Sequence, residues 1–406
     1  MRIATNTIFD LGVNSMNRQT AQLLKTQQQL SANRRILTPS DDPVAAARVL
    51  EISQADAINT QYGTNAQTAA GRLSLTESAL GSITNLLQAV RQNAVTAGNG
   101  SFTPADRQSV AQDIQAMYDQ LMTVANTTDG EGNYLFSGFQ TDVKPFAPSA
   151  TGVQYLGDDG QRLVQVASDR QVAVSESGAD VLMRVRQSNG TFTVSAPAAN
   201  TGSAVYTQGT VTNPTAITGH QYQVVFTVTG TGSTAVTTYD VNDITAGTTV
   251  ATAQPYTSGG AIAFDGMSIE IEGAPATGDI VQLDPSTNQD IFTTISNLVA
   301  ALRTATGNPA ADARLQNALN DAIANLDQGL DNVNSVRAGV GTRMRETDDH
   351  KASSDDLSIQ YKQNISNLQD LDYAKAVSDL VQQQTNLQAA QKTFLQTAQL
   401  SIFNYL

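Results

Sequence analysis

Residues 5–37 read TNTIFDLGVNSMNRQTAQLLKTQQQLSANRRIL, with no proline and one glycine, Gly12. Phe9, Met16, Leu23, Leu30 and Leu37 recur every seven residues. That spacing marks a helix that pairs with another helix. The seam is thin. Thr20 and Gln27 stand where a second apolar row would run.

The next residues, Thr38-Pro39-Ser40-Asp41-Asp42-Pro43, read as a corner. Pro39 is expected to end the first helix, because the residue before proline avoids the α region. Asp42 is a good N-cap, and Pro43 suits a first helical position. A long helix should then run to about Ala97 and stop at Gly98-Asn99-Gly100. Its apolar positions include Tyr62, Leu73, Leu80, Ile83, Leu87 and Val90. Thr103-Pro104 opens another helix, carrying Val110, Ile114, Met117, Leu121 and Val124 on one face.

From Tyr134 to about Asp284 the period drops to two. Val153 and Tyr155, then Gly157-Asp158-Asp159-Gly160, then Leu163 to Val166, suggest a hairpin. Val181 to Val185, Tyr222 to Val228 and Val236 to Val241 suggest strands. Ile262 and Phe264, Asp265-Gly266, then Met267, Ile269 and Ile271 give the clearest hairpin. Helix returns near Asp290, and Leu315, Leu319, Ile323, Leu326, Leu330, Val333, Val340 and Met344 mark a long stripe. The segment from about Asp355 repeats the opening pattern. Tyr373, Leu380, Leu387 and Phe394 share one register of seven, with Gln384 and Gln391 beside them.

The two ends therefore match, and the middle is an insertion. The expected fold is mainly α with inserted β: an elongated antiparallel helical rod with coiled-coil termini and a lateral all-β domain. The expected division is 1–40 plus 355–406 as a terminal coiled-coil assembly domain, 41–185 plus 286–354 as the helical rod, and 186–285 as the β insertion.

Composition narrows the function. The chain has 406 residues, 23 Lys plus Arg against 37 Asp plus Glu, and a net charge of −14. A nucleic-acid binder needs a basic footprint, and anionic membranes disfavour an acidic chain. No apolar run approaches the ~20 residues of a membrane span, and the opening residues lack the pattern of a cleavable secretory signal. Cysteine is absent and only His220 and His350 are present. Disulfides, thiolate zinc sites and His clusters are excluded.

The other chemical motifs are weak. Asp129-Gly130-Glu131-Gly132-Asn133 lacks the ligand spacing of a calcium loop and reads as a turn. Gly339-Val340-Gly341 lacks the strand–loop–helix context of a phosphate site and reads as a flexible spot in a helix. Asp41/Asp42 and Asp348/Asp349 are carboxylate pairs without a cleft. No catalytic residue, metal ligand or cofactor is expected.

Phe9, Met16, Leu23, Leu30, Leu37, Tyr373, Leu380, Leu387 and Phe394 remain as a candidate assembly seam. One buried leucine gives about 1.5–3 kcal/mol, which is small beside the roughly 7–14 kcal/mol that ordering seven backbone residues costs. Such a pair is expected to be poorly ordered until other chains bury its open faces. Periodicity alone favours an ordinary intramolecular coiled coil over an assembly seam.

Five stretches resemble the flagellin superfamily and, within it, the hook-associated protein 3 (FlgL) family. They are MRIATNTIFD at the start, Leu37-Thr38-Pro39-Ser40-Asp41-Asp42-Pro43-Val44-Ala45-Ala46, ANTTDGEGNYLFSGFQTDVKPF over 125–146, FDGMSIEIEGAPATGDIVQLDPS over 264–286, and the tail from Leu371. The resemblance implies an extracellular structural subunit at the flagellar hook–filament junction. It implies export without a cleaved signal peptide. The implied partners are other copies of the chain, hook-associated protein 1 on the hook side, flagellin on the filament side and an export chaperone, with neither nucleic acid nor membrane. A filament flagellin, or a filament-borne adhesin or binding module, is the alternative reading.

Overall fold

The computed structural model describes residues 5–150, 152–304 and 307–399. The chain is mainly helical at both ends, with an antiparallel β domain between them. It divides into two compact units, one of residues 1–65 and 349–406, the other of 66–348. Helix α1 spans Thr5–Ala32, α2 Pro43–Ala97, α3 Pro104–Ala125, α4 Ile291–Arg303, α5 Pro309–Gln369 and α6 Tyr373–Gln399.

In the first unit, α1 stops before the proline expected to end it. Asn33 takes a left-handed conformation, φ 51°, and the Arg34 amide reaches back to the Gln29 carbonyl at 3.1 Å. This closes the helix as a Schellman cap, so Pro39 lies in the loop beyond. The carboxyl-terminal half also departs from one continuous helix. Helix α5 runs to Gln369, the chain turns at Asp370–Asp372, and Asp372 caps α6 by accepting from the Lys375 amide. The two corners are tied together by the antiparallel bridge Arg34↔Asp370 and by the Arg35 amide on the Gln369 carbonyl, 2.8 Å.

In the second unit, one core joins the apolar stripes of α2, α3, α4 and α5. Leu80, Ile83, Leu87, Ile114, Ile295, Leu326 and Val333 are all buried in it. Thr103 and Asp106 form the capping box of α3. Arg337 on α5 clamps Glu77 on α2 at 2.6 and 3.0 Å. Helix α5 passes through Gly339-Val340-Gly341 unbroken, with Val340 buried. Strands β1 (Phe146–Ser149) and β2 (Gly152–Tyr155) pair, as do β3 (Leu163–Ala167) and β4 (Arg170–Ala173).

That pairing overturns the expected 153–166 hairpin. Asp158 explains why. Its carboxylate accepts from the Phe139 and Gly160 amides at 2.9 and 2.8 Å, so the Gly-Asp-Asp-Gly turn binds the 137–139 segment and does not fold β2 back on β3. The expected strand over Val181 to Val185 is also corrected. Ala179–Met183 is one π-helical turn, followed by the two-residue strand β5 (Val185–Arg186).

The β domain continues with β6 (Phe192–Ser195), β7 (Val205–Tyr206), β8 (Thr210–Val211), β9 (Tyr222–Thr229), β10 (Val236–Asp243), β11 (Thr248–Pro255), β12 (Ala261–Phe264), β13 (Met267–Glu272), β14 (Ile280–Pro285) and β15 (Asn288–Gln289). One sheet has the order β11-β10-β9-β14-β6, and the other has β12-β13-β7 with β8 beside β13. Their inner faces close a second core around Tyr222, Phe226, Ile269 and Leu283. The Asp265-Gly266 hairpin is present, with φ 42° and 78° at the turn. That left-handed pair is what a two-residue hairpin loop requires.

Candidate assembly interface

Helices α1 and α6 lie against each other. Phe9 meets Phe394 edge to face at 5.0 Å between ring centroids, near the opposite end from the Arg34↔Asp370 bridge. This antiparallel register sets Met16 level with Leu387 and Leu23 level with Leu380, all four half-buried. Leu30 is half-buried on α1. Leu37 lies beyond α1, where its amide donates to Asp41 at 3.0 Å. Tyr373 opens α6 and stays 62% exposed, so it packs least of the set.

The second inward row also differs from the sequence reading. It consists of Gly12, Gln19 and Thr26 on α1, and Ala376, Gln383 and Ala390 on α6. Thr20, Gln27, Gln384 and Gln391 face out. A helix of 3.6 residues per turn places this row three or four residues from the first. Gly12, Ala376 and Ala390 in this row let the helices approach closely. A Cβ on Gly12 would fall 2.7 Å from the Phe394 ring.

The Ser40-Asp41-Asp42-Pro43 corner fixes the angle between α1 and α2. Asp41 accepts from the Leu37 and Thr38 amides at 3.0 and 2.9 Å and pairs with Lys25 at 2.7 Å. The Lys25 ammonium, then those two amides, hold its carboxyl well below the usual range. Asp42 caps α2 by accepting from the Ala45 amide. The Arg35 guanidinium reaches the Leu368 carbonyl at 2.7 Å. The first carboxylate pair is thus used in building the corner.

In the same unit, α2 and α5 meet through a polar contact. Asn59 donates to the Ser354 carbonyl at 2.7 Å, and the Ser354 hydroxyl returns to the Asn59 carbonyl at 2.9 Å. Both side chains are buried, and Gly63 leaves room for Ser354.

The surface of this unit is unusually apolar. Among the described residues, thirteen of the twenty-one exposed large hydrophobic side chains lie in 1–65 and 349–406, less than a third of the chain. They include Leu11, Leu24, Leu50, Ile359, Val381 and Leu395. Exposed apolar patches of this kind mark contact surfaces.

The second unit carries the block Ala125 to Phe146. Asn126 clamps the end of α3 to β1, accepting from the Phe146 amide and donating to its carbonyl. Leu135 and Phe136 are buried, and Tyr155 donates to the Phe136 carbonyl at 2.9 Å. The Asp129 carboxylate is taken up by the Glu131 and Asn133 amides of its own turn.

One polar stripe was missed from sequence. Asn317, Asn320, Asp321 and Asn325 fall within eight residues of each other on one face of α5 and bind the β domain. Asn317 accepts from the Tyr206 amide at 3.0 Å, Asp321 from the Tyr206 hydroxyl at 3.0 Å, and Asn325 from the Ser188 amide at 2.7 Å. Burial pushes the Asp321 carboxyl up to about 6. The signal was present: polar residues at helical spacing alternate with the Leu stripe where a solvent face needs no asparagines.

Comparison with known proteins places these features. Residues 3–141 match the bacterial flagellin N-terminal helical region, and 323–406 match the bacterial flagellin C-terminal helical region. The flagellar hook-associated protein 3 of Salmonella typhimurium is 28% identical over 404 residues, 99% of each chain. The crystal structure of Xanthomonas campestris FlgL is 32% identical with a TM-score of 0.71, covering 78% of this chain and 99% of that one. The flagellar junction protein FlgL of Legionella pneumophila is 29% identical with a TM-score of 0.72, covering 80% of this chain and 100% of that one. Through its two flagellin-like helical ends and full-length likeness to these proteins, the chain belongs to the FlgL family of flagellar hook-associated proteins.

Proposed function

We propose that copies of this chain form a structural joint in the flagellum, between hook-associated protein 1 on the hook side and flagellin on the filament side. The apolar surface of the terminal helices carries this reading. Met16, Leu23, Leu30, Leu380 and Leu387 form its inner seam with the Phe9–Phe394 pair, Leu37 and Tyr373 lie at its margin, and neighbouring copies bury the outer faces. Buried apolar area contributes about 25 cal/mol per Å², and each added copy covers more of it. The assembled copies then present a flagellin-like helical surface on which flagellin is templated. The family membership supports a place in the flagellum.

Delivery follows from the same reading. The chain travels unfolded through the flagellar export apparatus, with an export chaperone covering its terminal segments and its amino-terminal signal retained. The test is a strain deleted for this chain, examined by electron microscopy with the medium blotted for flagellin. Hooks without filaments, together with flagellin in the medium, are expected. Normal filaments would overturn the proposal.

A further inference from the structure

The chain contains two Asn-Gly dipeptides, Asn99-Gly100 and Asn189-Gly190, and the fold treats them in opposite ways. Asparagine is a chemically labile side chain, and a following glycine leaves the next backbone nitrogen uncrowded because it has no Cβ. Asn189 is locked. Its Nδ2 donates to the Gln208 and Gly209 carbonyls at 3.1 and 3.3 Å, and its Oδ1 accepts from the Thr191 and Phe192 amides, both at 3.0 Å. The Gly190 amide donates to the Gln187 carbonyl at 3.0 Å. Asn99 stands exposed in the turn between α2 and α3. Its Oδ1 accepts from the Ser101 amide at 3.0 Å and the Ser101 hydroxyl at 2.9 Å. Among the described residues, neither its Nδ2 nor the Gly100 amide donates to any protein group. A Cβ on Gly100 would meet nothing within 4 Å, so the site is open to water.

We propose that Asn99 is a site of spontaneous deamidation in the folded protein, with water as the only co-reactant. The Gly100 nitrogen gives its proton to solvent, and its electron pair attacks Cγ of Asn99. The N–Cγ bond forms, the Cγ–Nδ2 bond breaks, and Nδ2 takes up a proton and leaves as ammonia. The product is a five-membered imide. Water then opens it: cleavage at Cγ gives aspartate, and cleavage at the main-chain carbonyl gives isoaspartate. One water enters, one ammonia leaves, and nothing is oxidised or reduced. The two Ser101 donors sit on the oxygen that gains charge during the attack, as oxyanion donors do. The carbonyl is polarised at both sites, so what differs is the nucleophile and the leaving group. At Asn189 the same attack must break the Gly190 hydrogen bond and pull Nδ2 away from two carbonyls. Conversion at Asn99 places a carboxylate at the C-terminal end of α2, where the helix dipole disfavours negative charge. Isoaspartate also adds one methylene to the main chain there. The α2–α3 turn therefore changes with the age of the molecule.

The test incubates the full-length chain at 37 °C and pH 8 and follows both Asn-Gly peptides by mass, where each conversion adds about one dalton. In the folded chain Asn99 should convert at least tenfold faster than Asn189, and isoaspartate should appear at position 99. In guanidinium chloride the clamps on Asn189 are gone, and the two rates should agree within about threefold. Equal rates in the folded chain, or a faster Asn189, would overturn the proposal. So would an Asn99 that stays intact in the folded chain while the unfolded chain converts it. A tenfold difference that persists in guanidinium chloride would also overturn it, because the local sequence and not the fold would then set the rates.

Discussion

At the residue scale, the corner motif shows how a few polar atoms set the course of two long helices. Asp41 gathers two amides and one ammonium. Its folded carboxyl titrates well below the ~3.9 of an unfolded aspartate. The contribution is therefore full above that value and is lost as pH falls through the depressed folded pKa. Asp41→Asn should raise amide exchange in residues 33–45 at neutral pH, and acidifying the wild type below about 4 should do the same. Exchange that ignores both changes would show that the corner is held by Asp42 and Arg35 alone. Gly138 makes a second case. Its φ is 73°, and an added Cβ would lie 2.4 Å from the Asp158 carbonyl oxygen. Since left-handed strain and a backbone clash act together, Gly138→Ala should lower stability by more than ~1 kcal/mol in urea unfolding. Gly71, with nothing within 4 Å, should gain slightly from alanine because it sits inside a helix.

At the element scale, Asp321 joins α5 to the β domain. Its folded carboxyl takes a proton near pH 6, against an ordinary value of 3.8. Burial penalises the charged form, a difference of about 3 kcal/mol. The unfolded chain takes that proton only near pH 4, so folded stability rises as pH falls from about 6 to about 4. Asp321→Asn should remove that rise. Between pH 7 and pH 5 the wild type should gain about 1 kcal/mol more than the variant in urea unfolding. A parallel response in both proteins would mean that Asp321 is already neutral or well solvated. The elements themselves were legible where one local signal acted alone. The cap at Asp42, the helix starts at Thr103-Pro104 and near Asp290, the Leu stripe of α5 and the Asp265-Gly266 hairpin were all readable. Reading failed where two signals competed. Asn33 ended α1 before Pro39 could, and Asp158 turned a hairpin motif into a staple. The inward row of Gln19 and Gln383 was missed because period seven fixes one row and leaves the side of the second undetermined.

At the scale of the whole molecule, the two units respond differently to the same substitution. Leu326 is fully buried in the core shared by α2, α4 and α5. An aspartate there is an unpaired buried charge, at several kcal/mol after relaxation. Domains hold only about 5–15 kcal/mol in reserve. Leu326→Asp should therefore unfold residues 66–348 and abolish the main thermal transition. Leu387 lies in the other unit, half-buried in a helix pair with one thin seam. Leu387→Asp should shift the main transition little, because changes outside that core usually stay within ~0.5 kcal/mol. In the assembled joint the same carboxylate is enclosed by neighbouring copies, and every copy repeats the penalty. The variant should be exported, yet cells should show hooks without filaments and leak flagellin. Thermal melts, together with a swimming assay and a blot of the medium, separate the outcomes. If Leu387→Asp lowers the main transition as far as Leu326→Asp does, the terminal pair and the core unfold as one. If Leu387→Asp cells grow normal filaments, the seam is not the surface on which copies meet.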